Sequence, residues 1–204
     1  MLALHASGVT VRGRMSAEVV DHATWRSDSV IWLSRSRKAD LPAVASLDAQ
    51  VGGLCDELEL HLRARGEICL TSRHDAQLSV FDPSGCGFAK HHDTKSLHGA
   101  GRKVTIILYL NPPDWCGGGQ LRIFSAETMG GSVPPVTVEP TAGTVVIMRA
   151  DVPHEVLPAT APGRMALTVW VDGTLLDQHP CFVQPAEPPA PVRRSFWQRF
   201  LPPW

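Results

Sequence analysis

The sequence predicts a mainly β domain with N-terminal helices. An amphipathic stretch comes early, short β-rich runs follow it, and Gly and Pro separate those runs. Helices followed by strands, rather than alternating with them, argue against βαβ units. They favour a mostly antiparallel sandwich or jelly roll buttressed by the helices.

Val44, Leu47, Val51, Leu54, Leu58 and Leu62 recur at spacings of three and four, which predicts one apolar helix face from about Leu41 to Arg65, ending near Gly66. Strands are expected at LSVF (78–81), KVTIILYL (103–110), QLRIF (120–124), GTVVIMR (143–149) and RMALTVWV (164–171). From Pro185 the chain turns proline-dense and then basic and aromatic, which reads as a linker or tail. The expected layout is a domain over 1–184, with its core at about 74–173, and a tail over 185–204. In that tail Phe196, Trp197, Phe200 and Trp204 stand beside Arg193, Arg194 and Arg199, either as a docking motif or as an appendage.

A chain of 204 residues can bury a full core without disulfides or structural metal. With 19% charged residues and a net charge of -1, nothing favours bulk nucleic acid or an anionic membrane as partner. Cys55, Cys69, Cys86, Cys116 and Cys181 form no CxxC pair, so reduced thiols in a reducing compartment are expected. The opening MLALHASGVTVRGRM is broken by His5, Gly8, Arg12 and Arg14 before an apolar run reaches signal-peptide length. A cytoplasmic location is the expectation.

On an extended strand residues i and i+2 point the same way, so in FAKHHDTK the side chains of His91 and Asp93 share a face and His92 turns away. His154, in DVPHEVLP after the strand GTVVIMR, offers a second imidazole. Two His and a carboxylate leave coordination positions open on iron(II), as a structural zinc site does not. The HxD pattern alone is weak. RMALTVWV adds Arg164 and Thr168 on one face, a guanidinium fork and a hydroxyl suited to a carboxylate. A buried arginine demands an anion opposite, from the protein or from a ligand. Thr105, Ile107 and Tyr109 share a face of KVTIILYL, which lets the Tyr109 hydroxyl reach the same cavity.

From about Arg26 to Asp172 the chain resembles the 2-oxoglutarate- and Fe(II)-dependent prolyl 4-hydroxylases of the oxygen-sensing type and their bacterial relatives. The matching stretches are RSDSVIWL (26–33), FAKHHDTK (88–95), GRKVTIILYLNPPDW (101–115), GGGQLRIF (117–124) and VPHEVLPATAPGRMALTVWVDG (152–173). The resemblance implies a double-stranded β-helix core, a cupin-like jelly roll. In it His91, Asp93 and His154 bind Fe(II), and Arg164 binds the distal carboxylate of 2-oxoglutarate, with Tyr109 and Thr168 completing that site. It further implies dioxygen as cosubstrate and ascorbate as reductant. The implied reaction hydroxylates a prolyl residue of a protein or peptide, by family analogy a translation factor, while 2-oxoglutarate is decarboxylated to succinate. Phe81 stands where the sensor enzymes often carry Tyr, so one hydrogen bond to the cosubstrate is expected to be missing.

Rival readings are a hydroxylase of a free amino acid or small molecule, and a non-catalytic β-helix binding module. Retained Asp93 disfavours a halogenase, and Trp170 stands where a nucleic-acid dealkylase would carry a further Arg. His98 and Arg102 are expected in a loop after HxD that either contacts substrate or is merely mobile. Arg122 either meets substrate or forms a surface salt bridge. Trp32 is expected in the core or lining the cleft, Trp115 as a loop anchor, and Cys86 as chemically indifferent. Thr128–Gly143 departs from the family in composition and is a candidate for shaping the acceptor pocket.

Overall fold

The computed structural model describes residues 11–12, 26–33, 42–81, 83, 87–125 and 134–176. The 185–204 tail, Cys86, Cys181 and the 128–133 part of the divergent stretch lie outside the described residues. In chain order the elements are β1 (Val11–Arg12), β2 (Asp28–Leu33), α1 (Pro42–Ala64), β3 (Ile68–Arg73), β4 (Ala76–Phe81), β5 (Phe88–His91), β6 (Gly101–Tyr109), β7 (Leu121–Ile123), β8 (Val136–Val138), β9 (Val145–Arg149), β10 (His154–Val156) and β11 (Arg164–Leu175).

They form two sheets. The larger runs β1-β2-β4-β11-β6-β9 with β3 also on β11, and the smaller runs β5-β10-β7-β8. The ladders between named strands are antiparallel, and the two sheets enclose an inner core as a double-stranded β-helix.

The apolar period of α1 is that of a helix with one buried stripe. Val51, Leu54 and Cys55 are buried, while Leu47, Leu58 and Leu62 pack at the edge of the same cluster. His61 and Arg63 lie in its last turn, where positive charge suits the carbonyl end of the helix dipole. Gly66 stops it at φ 67°, and the bonds from its N–H to Arg63 O and from Glu67 N–H to Leu62 O close a Schellman turn.

The pleat of β11 sorts its residues into two layers. Met165, Leu167, Val169 and Val171 join Leu78, Val80, Val104 and Ile106 under α1. Arg164, Ala166, Thr168 and Trp170 line the space between the sheets. Each fully buried aliphatic side chain contributes roughly 1.5–3 kcal/mol, so the α1 side alone accounts for most of the apolar driving force.

Three expectations need correction. β2 precedes the helix and pairs with β4, so the order is not helices first, and the described residues hold one N-terminal helix rather than several. β6 ends at Tyr109 rather than residue 110 because the buried Asn111 takes over the pairing: its Oδ1 accepts from Met165 N–H at 2.6 Å, and its Nδ2 donates to Pro140 O. β3 and β8 gave no clear signal, since Ile68–Arg73 carries polar residues and Val136–Val138 lies on an exposed edge. Among the described residues no helix is long and apolar enough to cross a membrane.

Candidate active site

The smaller sheet brings the two imidazoles together by register alone. His91 at the end of β5 stands directly opposite His154 at the start of β10. His91 Nδ1 bonds to Ala89 O at 2.7 Å and His154 Nδ1 to Val152 O at 2.9 Å. A carbonyl accepts only from N–H, so each Nε2 is left as the lone-pair nitrogen.

Asp93 arrives differently from the sequence-based expectation. The strand ends at His91, so the pleat does not aim the carboxylate. Instead the Asp93 and Thr94 N–H groups both donate to Ala150 O, fastening the turn after β5 to the segment that leads into β10. Asp93 Oδ1 then lies 3.9 Å from His91 Nε2 and Oδ2 lies 3.7 Å from His154 Nε2. These separations are too long for hydrogen bonds and suit three ligands around one cation. All three ligand atoms lie within 4.8 Å of one another. Burial pushes the His91 pKa down to about 4, the neighbouring His154 pushes the same way, and the Ala89 bond opposes them only in part. At neutral pH His91 is therefore an uncharged donor. His92, exposed and bonded through Nδ1 to Asp151 O at 2.8 Å, takes no part.

The same cavity, about 460 Å³ including its open mouth, runs from this triad to Arg164. Arg164 is buried, and its Nε donates to Gly119 O at 2.9 Å. Its guanidinium lies 4.6 Å from the Phe81 ring centre and 5.2 Å from that of Tyr109. Among the described residues no carboxylate forms an ion pair with it. Burial lowers the Arg164 pKa, while Tyr109 and Asp28 act to raise it. Burial raises the pKa of the Tyr109 phenol against the opposing influence of the neighbouring Arg164, so it stays a protonated donor, and its hydroxyl makes no hydrogen bond of ordinary geometry among the described residues. A buried cation and an orphan hydroxyl side by side form a seat for a carboxylate. Together with two imidazoles and a carboxylate, this fits Fe(II) and 2-oxoglutarate.

Thr168 also lines the cavity, but it pairs with Ile107 and Gln77, whereas Arg164 pairs with Phe81. Four residues of strand separate it from Arg164 by roughly 13 Å. Trp170 is buried with its indole N–H unpartnered, under the Arg102 guanidinium at 4.2 Å. Arg102 belongs to β6, not to a loop. Trp32 is 40% exposed beside Trp170, at 5.8 Å between ring centres, and so is not core. Arg122 forms the surface salt bridge, 2.9 Å from Glu155. Trp115 anchors its loop through Nε1 to Gly118 O.

Sequence reasoning missed residues that hold the site from behind. Arg26 bonds to Asp28 and Gln77, each through Nη2 at 2.8 Å, and covers Phe88, whose ring stacks 3.7 Å from that of His91. Gly119, at φ 74°, lies close against Arg164: a Cβ there would meet its Cγ, Cδ and Nε at 3.0 Å, so the arginine would have to shift slightly. Its place in a GGG run was a signal, but nothing in the run says which glycine faces the arginine.

A double-stranded β-helix with an open two-histidine, one-carboxylate site and a buried carboxylate seat defines a non-haem oxygenase. Residues 76–172 match the family model described as the 2OG-Fe(II) oxygenase superfamily, and the chain belongs to that superfamily. It is 30% identical over 175 residues to human Egl nine homolog 1, covering 82% of this chain and 38% of that protein. The same identity holds with human prolyl hydroxylase EGLN3, covering 82% of this chain and 68% of the other. The chain thus spans about two fifths of the length of Egl nine homolog 1. Among solved structures it is similar to a prolyl hydroxylase from Trichoplax adhaerens in complex with a hypoxia-inducible factor peptide (TM-score 0.68, 29% identity, 83% of this chain, 73% of that one). It is also similar to a Pseudomonas putida prolyl-4-hydroxylase (TM-score 0.62, 29% identity, 83% of this chain, 80% of that one).

Proposed function

We propose that the chain is a 2-oxoglutarate- and Fe(II)-dependent dioxygenase that hydroxylates a prolyl residue in a protein or peptide and releases succinate. The observation that carries this is the pairing of the buried, carboxylate-free Arg164 and the orphan Tyr109 hydroxyl with the triad in one cavity. A pure binding module has no physical reason to keep a desolvated cation facing an open metal site. The prolyl acceptor is supported by the relatives' identity as prolyl hydroxylases, one of them solved with a peptide. A translation factor is the class of acceptor to try first.

In this reading His91, Asp93 and His154 hold the metal, and Arg164 with Tyr109 holds the distal carboxylate. Thr168, two residues from Trp170, the register partner of the Thr105 that bonds Asp93, would face the metal end of the cosubstrate rather than its distal carboxylate. Bound Fe(II) supplies dioxygen activation coupled to loss of carbon dioxide from 2-oxoglutarate. The chain's own contribution is to fix the ligand nitrogens through their Nδ1 bonds, seat the cosubstrate, and line the cavity with Phe81, Phe88 and Trp170 so that water is excluded. Ascorbate belongs to the proposal as the reductant that keeps the metal ferrous. A reducing, cytoplasmic setting also belongs to it.

The test is anaerobic addition of Fe(II) and 2-oxoglutarate to the wild type and to His154→Ala. A weak visible charge-transfer band is expected in the wild type only. No band in folded, iron-supplied wild type overturns the dioxygenase reading.

A further inference from the structure

Asp93 has two carboxylate oxygens, and one of them is already engaged. Thr105 Oγ1 donates to Asp93 Oδ2 at 2.6 Å, the only side-chain hydrogen bond to Asp93 among the described residues. Thr105 is fully buried at the middle of β6, between Trp170 of β11 and Met148 of β9. It therefore reaches from the buried middle of the larger sheet to a carboxylate carried on the turn after β5. The Asp93 backbone is tied to Ala150, but those N–H bonds fix only the main chain and leave the carboxylate free to rotate.

We infer that Thr105 is a positioning residue that holds Asp93 as a one-oxygen ligand. This rests on the metal site described under Proposed function. With Oδ2 already accepting from Thr105, Oδ1, 3.9 Å from His91 Nε2, is the oxygen with no side-chain hydrogen bond among the described residues and would be the one to ligate, leaving open the position that a second carboxylate oxygen would occupy. A carboxylate released from Thr105 would lose its fixed aim at the cation and could swing across a position that the cosubstrate or dioxygen needs. The threonine methyl packs in the buried layer, so the hydroxyl cannot rotate away to solvent. Thr105 thus acts on the metal through Asp93, from the wall of the same cavity.

The experiment compares Mn(II) affinity, and 2-oxoglutarate affinity of the Mn(II)-saturated protein, by calorimetry without turnover. The proteins are wild type, Thr105→Val, Thr105→Ser and His154→Ala. Thr105→Val preserves shape and removes the hydroxyl, and it is expected to weaken Mn(II) by about 10- to 100-fold, the range found when a metal ligand loses its supporting partner. It should also weaken 2-oxoglutarate binding at saturating metal, and Thr105→Ser should restore both. A Thr105→Val protein that melts lower yet binds both as the wild type does would show the hydroxyl to be merely structural, and the inference falls. If Thr105→Val fails to fold, Thr105→Ser decides: wild-type binding of both supports the inference, and loss of both despite a retained hydroxyl overturns it. Wild type that binds Mn(II) no better than His154→Ala overturns the metal site itself, a failure distinct from the first.

Discussion

The two faces of the larger sheet are built from alternate residues of the same strands, yet they obey opposite rules. Under α1 the buried side chains are aliphatic: Leu78, Val169, Leu167 and Ile106 are at most 2% exposed. Between the sheets the fully buried set includes Arg164, Tyr109 and Thr105. One residue's step along β11 exchanges Val169 for Trp170 or Met165 for Arg164. The α1 face supplies stability and tolerates nothing polar. The inner face carries desolvated groups that fold at a cost: Arg164, bonded through Nε to Gly119 O but facing no carboxylate among the described residues, and the Tyr109 hydroxyl.

Breaking the α1 face should have the largest effect. Val169→Asp places an unpaired carboxylate under the helix and should cost more than about 4 kcal/mol. Far-ultraviolet circular dichroism should find it largely unfolded at room temperature. A folded Val169→Asp protein with a wild-type melting temperature would mean that the two faces are not energetically distinct.

Arg164→Met tests the opposite face. It should keep stability within about 1 kcal/mol of wild type, because an unpaired buried cation is replaced by an apolar chain of similar length. Its affinity for 2-oxoglutarate should nevertheless fall by about 100-fold or more, read by calorimetry on the metal-loaded protein. If instead the melting temperature collapses, Arg164 is structural.

Ligand linkage ties the faces together. Metal at about 100 times its dissociation constant should raise wild-type stability by roughly 2.7 kcal/mol. Differential scanning fluorimetry should record that rise in the wild type and none in His154→Ala.

Gly119→Ala should be milder, since the added methyl crowds the flexible part of Arg164 and strains a left-handed backbone. A loss of about 1–2 kcal/mol in stability, with about 10-fold weaker 2-oxoglutarate binding, is expected. Unchanged cosubstrate affinity would mean that Arg164 is not held in place through Gly119. Smallest should be Phe81→Tyr, which adds a hydroxyl beside Arg164 and should tighten 2-oxoglutarate by a few-fold, about 1 kcal/mol. A weaker complex would place the cosubstrate carboxylate elsewhere.

Much of this was legible in the chain itself. The period of three and four from Val44 to Leu62 set α1 within a residue of its ends, and Gly66 marked its stop. Alternation along RMALTVWV assigned Arg164 and Thr168 to one face, because a strand's period of two is a local property. His91, Asp93, His154, Tyr109 and Arg164 were legible as residue types in a pattern, and the fold gathers all five into one cavity. The order of β2 and α1, the edge strand β8, and the places of Trp32 and Arg102 were not legible. They depend on what packs opposite, and no window of sequence contains that.

By itself the sequence determined the periodicities, the residue types and hence the family of chemistry, all of which act over a few residues. Only the tertiary structure decided that Asp93 Oδ2 accepts from Thr105, which reaches it from the larger sheet. It alone decided that Gly119 backs Arg164 and that Thr168 pairs with Gln77 and Ile107. These are contacts between residues far apart in the chain, where register and burial choose among partners that local propensity cannot rank.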